Sequence, residues 1–77
     1  DVVVADPPRR GLGREVVHAL ADAAPRRLVY VACDPASLAR DLASFAERGY
    51  QLADLRAFDA FPMTHHLETV ALLTPSS

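Results

Sequence analysis

Two short runs constrain this chain most: Val2-Val3-Val4-Ala5 and Leu28-Val29-Tyr30-Val31-Ala32. Each is apolar throughout, rich in β-branched side chains, and too short for a helix. Such runs fit strands buried on both faces, the pattern of a parallel sheet covered by helices. Helical periodicity fills the intervals. From Gly13 to Ala24, Val16, Val17, Leu20 and Ala24 recur at helical spacing. After the second run, Asp34-Pro35 opens another helix, with Asp as N-cap and Pro as first residue. Leu38, Ala39, Leu42, Phe45 and Ala46 line one face, and Gly49 stands where a C-terminal glycine belongs. Gln51 to Phe58 and Leu67 to Leu73 read as two further strands joined by a loop from Asp59 to His66.

The expected order is therefore β-α-β-α-β-β, an α/β unit with right-handed crossovers. The last two strands have only a loop between them and should pair antiparallel, so the final strand runs against the others. That topology has a chemical consequence. The first two strands end at Asp6 and Cys33, and a reversed last strand begins near Glu68. Open α/β sheets bind ligands at the carboxyl edge, where these three residues are expected to converge.

The totals set outer limits. With 77 residues, 51% of them hydrophobic, the chain can build one small core. A net charge of −2 gives no electrostatic argument for nucleic acid. The single cysteine excludes an internal disulfide and hence a disulfide-stapled secreted domain. There is no initiator Met, signal peptide or bilayer-length apolar run, and Asp1 leads straight into a strand. The expectation is a piece of a larger cytoplasmic enzyme.

Cys33 follows a strand and directly precedes a helix. A thiol there meets the positive end of the helix dipole, which favours the thiolate nucleophile, while the neighbouring Asp34 opposes it. The competing reading is a buried core cysteine. Glu68 opens an otherwise apolar strand. It is either a solvated strand end or, under the cover of Phe61 and Leu67, a desolvated general base. Asp6-Pro7-Pro8-Arg9 is either a rigid turn or a loop whose Asp6 accepts hydrogen bonds from a base or a cofactor ammonium. Arg9, Arg10 and Arg14 can meet phosphates or can be ordinary solvated surface. Adjacent His65 and His66 on an extended segment point to opposite faces, and with one cysteine the chain offers no metal-ligand pattern. No metal is expected.

Three stretches in order, Asp6-Pro7-Pro8-Arg9-Arg10-Gly11-Leu12, Val29-Tyr30-Val31-Ala32-Cys33-Asp34-Pro35-Ala36-Ser37 and Phe58-Asp59-Ala60-Phe61-Pro62-Met63-Thr64-His65-His66-Leu67-Glu68, closely resemble the successive signatures of the RNA 5-methyluridine methyltransferase family. The resemblance covers almost the whole chain. It implies the C-terminal half of a class I methyltransferase Rossmann-like domain with the last strand antiparallel. Residues 1–77 would then be the C-terminal part of the catalytic domain, without the family's Gly-rich cofactor loop and RNA-binding region. It also implies Cys33 as nucleophile, Glu68 as proton-abstracting base and Asp6 at the cofactor site, with S-adenosyl-L-methionine as methyl donor and tRNA or rRNA as partner. Pro7, Pro8, Arg9 and Pro35 would line the substrate pocket from the first two stretches, and Phe61, Pro62, Thr64 and His66 from the third. Ala32 and Asp34 depart from the commonest family pattern, which has Ser and Asn there.

Rival readings are an exocyclic-amine methyltransferase, a cytosine-C5 enzyme, or a folded half-domain inactive in isolation. The amine enzymes usually have an aromatic residue where Arg9 stands, and the RNA cytosine-C5 enzymes generally use two cysteines. An isolated piece would also leave the Val2–Ala5 strand unpaired on the side of the missing half, and self-association through that strand, or aggregation, is expected.

Overall fold

The computed structural model describes residues 1–59 and 67–76. The order is β1 (Val2–Ala5), α1 (Arg14–Asp22), β2 (Arg27–Ala32), α2 (Pro35–Glu47), β3 (Tyr50–Asp59) and β4 (Leu67–Pro75). The four strands form one sheet in the order β1-β2-β4-β3. β1 and β2 are parallel, and β4 runs antiparallel to both β2 and β3. The expected reversed final strand is present, inserted between β2 and β3. The expected loop residues 60–66 lie outside the described residues.

Both helices pack on one face of the sheet. Val17 and Ala21 of α1 and Leu38 and Phe45 of α2 share a core with Leu28, Tyr30, Ala32, Ala71 and Leu73 of the sheet. Full burial of a side chain the size of Phe45 or Leu28 contributes about 1.5–3 kcal/mol. Tyr50 closes the far end of this core. Its ring meets Phe45 edge-on with centroids 6.3 Å apart, and its hydroxyl donates to the Pro25 carbonyl at 2.6 Å.

This one-sided packing corrects the expectation that the first two strands are buried on both faces. In β2 the alternate residues Leu28, Tyr30 and Ala32 are buried, whereas Val29 and Val31 are only half-buried. In β1, Val2 and Val4 are 56% and 66% exposed. Strand side chains alternate between faces, and here α1 and α2 cover only one. Val4, Val29 and Leu72 stand level across three strands on the other face, which no helix among the described residues covers.

The helix faces also need correction. In α1 the buried residues are Val17 and Ala21, while Val16 is 47% exposed. Ala24 lies past the helix end with φ 56, just before Pro25, which cannot continue a helix. In α2, Leu38 and Phe45 are buried as expected, but Ala39 and Ala46 face solvent and the polar Ser37 and Asp41 take buried positions. Asp34 caps α2 as expected, its carboxylate accepting the Ser37 N–H at 3.3 Å with Pro35 as the first helical residue. Gly49 follows the helix end at φ 85, and its N–H bonds the Ala46 carbonyl at 3.2 Å. No helix among the described residues is long and apolar enough to cross a membrane.

Candidate active site

The strand register decides which residues meet at the carboxyl edge. Ala32 of β2 pairs with Thr69 of β4, so one further step sets Cys33 opposite Glu68. Glu68 in turn pairs with Phe58 of β3 on its other side. Ala5 of β1 pairs with Tyr30, which carries Asp6 level with Val31, two residues short of Cys33. Within β4, alternation places Glu68 on the same face as Val70 and Leu72, while Asp6 and Cys33 lie just past the ends of β1 and β2. Asp6, Cys33 and Glu68 are all exposed.

Cys33 is therefore an accessible free thiol, not a core cysteine. It immediately precedes Asp34, the N-cap of α2, at the positive end of that helix. Glu68 is open to solvent rather than enclosed. The cover expected from Phe61 lies outside the described residues, as do Pro62, Thr64 and His66. Among the other expected pocket residues, Pro7 is buried, while Pro8, Arg9 and Pro35 are exposed. Arg14 is engaged in an exposed pair with Glu47 at 3.2 Å. Among the described residues no three His, Cys, Asp or Glu side chains gather as a metal site.

The charge of Asp34 is strongly engaged. The Ser37 hydroxyl lies 2.8 Å from its Oδ2 and 2.6 Å from the Arg9 carbonyl oxygen, and its one proton serves either acceptor. The Ser37 hydroxyl hydrogen bond, then the Ser37 N–H, then the charges of Arg40 and Arg9 hold the Asp34 carboxyl below the ordinary value of 3.8. The negative charge beside the thiol is thus partly answered by two arginines. Arg40 also donates to Ser37 Oγ at 3.1 Å.

Sequence reasoning missed the polar centre beneath this edge. Asp41, only 4% exposed, accepts from the Leu12 N–H at 2.7 Å, the Gly13 N–H at 3.3 Å and the Tyr30 hydroxyl. Tyr30 is held protonated well above its ordinary value of 10.0, first by burial and then by its hydrogen bond to Asp41. A signal was available: Asp41 falls at helical spacing between Leu38 and Phe45, the two residues of the expected apolar face that are buried.

The family model for tRNA (Uracil-5-)-methyltransferase matches residues 1–76. The chain belongs to this family. An uncharacterized RNA methyltransferase of Streptomyces avermitilis is 54% identical over 77 residues, which is all of this chain but 18% of that protein. The chain therefore spans less than a fifth of that relative. Among solved structures, the Pyrococcus abyssi tRNA (uracil-54, C5)-methyltransferase in complex with S-adenosyl-L-homocysteine superposes with a TM-score of 0.84 at 40% identity. That match covers 96% of this chain and 18% of that one. The M1.HpyAVI–SAM complex superposes with a TM-score of 0.76 at 17% identity, covering 99% of this chain and 44% of that one, and shows a shared fold alone. The α/β fold with its reversed last strand is thus that of S-adenosylmethionine-dependent methyltransferases.

Proposed function

We propose that this chain is the C-terminal part of the catalytic domain of a longer enzyme that methylates C5 of a uridine in tRNA or rRNA, with S-adenosyl-L-methionine as donor. The observation that supports the reading is the pairing of Ala32 with Thr69, one residue short of Cys33 and Glu68 at the carboxyl edge, within a family of uracil-5 methyltransferases.

C5 of uracil is a weak nucleophile. The Cys33 thiolate adds to C6, and the electron pair of the C5–C6 bond moves out toward the C4 carbonyl as an enolate. The cofactor, when bound, supplies an electrophilic methyl group for C5. The Glu68 carboxylate then takes the C5 proton, the C5–C6 double bond re-forms, and the thiolate is expelled. Asp6, exposed beyond β1, is the acceptor this chain offers to the cofactor ammonium or the pyrimidine edge. Pro7 and Pro8 stiffen the backbone around it. The uridine must leave its stack to reach this edge.

The test uses the whole enzyme and RNA tritiated at uridine C5. One tritium released per methyl incorporated supports the reading. Methyl incorporation without tritium release, as an amine methyltransferase would give, overturns it.

The 77-residue chain alone is proposed to be inactive and to associate through β1. Among the described residues β1 pairs only with β2, and it carries no charge or proline to blunt its free edge. Sedimentation should show concentration-dependent dimers or larger species. A monomer at high concentration would refute this.

A further inference from the structure

No step of the proposed reaction uses Asp41, yet the fold spends a buried carboxylate on it. The ion pairs among the described residues do not include it. A buried charge without a cation is a poor device for stability alone, because desolvation offsets much of what its hydrogen bonds contribute. What it holds is specific. Helix α1 starts at Arg14, and its N-cap residue, Gly13, has no side chain to accept the free amides. Asp41 reaches across from α2 and accepts the N–H groups of Leu12 and Gly13. Gly11 shows how close the approach is. Its φ is +87, and a Cβ there would lie 2.9 Å from Asp41 Oδ2 and 3.2 Å from Ser37 Cβ.

Ser37 sits one turn earlier on the same helix, with its hydroxyl 2.6 Å from the Arg9 carbonyl oxygen. Two side chains of α2 thus grip both ends of the segment from Arg9 to Gly13. The same helix begins two residues after Cys33. Helix α2 is therefore a fixed spacer between the thiol and the Pro8–Gly11 turn that follows Asp6.

We propose that Asp41 is a positioning residue for methyl transfer, holding the Pro8–Gly11 turn, and with it the loop that follows Asp6, at its working distance from Cys33. This rests on the uridine methylation reading above. It places the requirement for Gly11 and Asp41 in the reaction geometry rather than in folding.

The experiment compares wild-type whole enzyme with Asp41→Asn. The carboxamide keeps the shape but turns an N–H₂ toward donors that need an acceptor. Misplacement of the turn should lower kcat roughly ten- to hundredfold. Alkylation of Cys33 by iodoacetamide, followed on its peptide by mass spectrometry, should keep the wild-type rate, and amide exchange should quicken at Leu12 and Gly13 but not in β2 or β4. Gly11→Ala perturbs the same contact from the loop side and should give the same pattern. A folded Asp41→Asn or Gly11→Ala enzyme with kcat near wild type overturns the proposal. So does a loss of activity matched by altered Cys33 alkylation and faster exchange throughout the core, or the failure of both variants to fold, since either makes the role structural. Wild-type enzyme that does not methylate uridine would instead remove the reading on which the proposal rests.

Discussion

Replacing Tyr30 with Phe removes one hydroxyl from the centre of the fold and little else. The Tyr30 ring is 1% exposed within the core between β2 and the helices, and Phe retains that packing. The hydroxyl donates to the buried carboxylate of Asp41, which keeps the Leu12 and Gly13 amides after the change. A hydrogen bond to a charged group contributes about 1.5–3 kcal/mol, so Tyr30→Phe should cost that much at pH 7. The pH dependence gives a second, sharper signature. Burial and Asp41 raise the Tyr30 pKa in the folded state above its ordinary 10.0. Above pH 10.0 the unfolded chain therefore releases this proton while the folded chain keeps it. Stability present below that pH is then lost as pH rises, with a slope that approaches about 1.4 kcal/mol per pH unit. The Phe variant lacks this term, so the gap between the two should narrow above pH 10.0. Urea denaturation of both chains at matched low concentration, from pH 7 to pH 11, measures it. Equal stabilities at pH 7, or a gap that does not change with alkaline pH, would refute the account of the Tyr30–Asp41 pair.

Other outcomes follow from the edge of the sheet. Glu68→Gln in the whole enzyme should allow thiol attack and methylation but block elimination, leaving RNA attached to protein through denaturing electrophoresis; normal turnover would remove Glu68 from the mechanism. Asp34→Ala should lower stability through loss of the α2 N-cap, read as a lower denaturation midpoint at pH 7. Because the Asp34 carboxyl is held below its ordinary 3.8, that contribution should be complete above pH 3.8 and fade as pH falls below it. A variant as stable as wild type at pH 7 would contradict the capping geometry.

The alternation of strands and helices was legible because each element carries its own local pattern: the valine run of β1, the Asp34-Pro35 helix start, the glycine after α2. So was the reversal that brings the start of β4 alongside the end of β2, which needs only strand ends and a connecting loop. Three things were not. An apolar strand such as Val2–Ala5 looks the same whether its second face is covered or open, because the pattern records a capacity for burial and not the presence of a neighbour. The insertion of β4 between β2 and β3 depends on pairing across the sheet, which periodicity does not encode. The role of Asp41 depends on contacts with Leu12 and Gly13, 29 and 28 residues away in sequence. Periodicity sees such a residue only as a polar break in an apolar stripe.

The central claim, covalent attack by Cys33 on a uridine, is tested most directly with RNA bearing 5-fluorouridine and S-adenosylmethionine, incubated with the whole enzyme and analysed by peptide mass spectrometry. Fluorine cannot leave C5 as a proton, so elimination stops and the adduct persists. The account predicts a methylated fluorouridine attached to the peptide containing Cys33, absent in Cys33→Ala. Turnover with no adduct, or an adduct on any other residue, would contradict it.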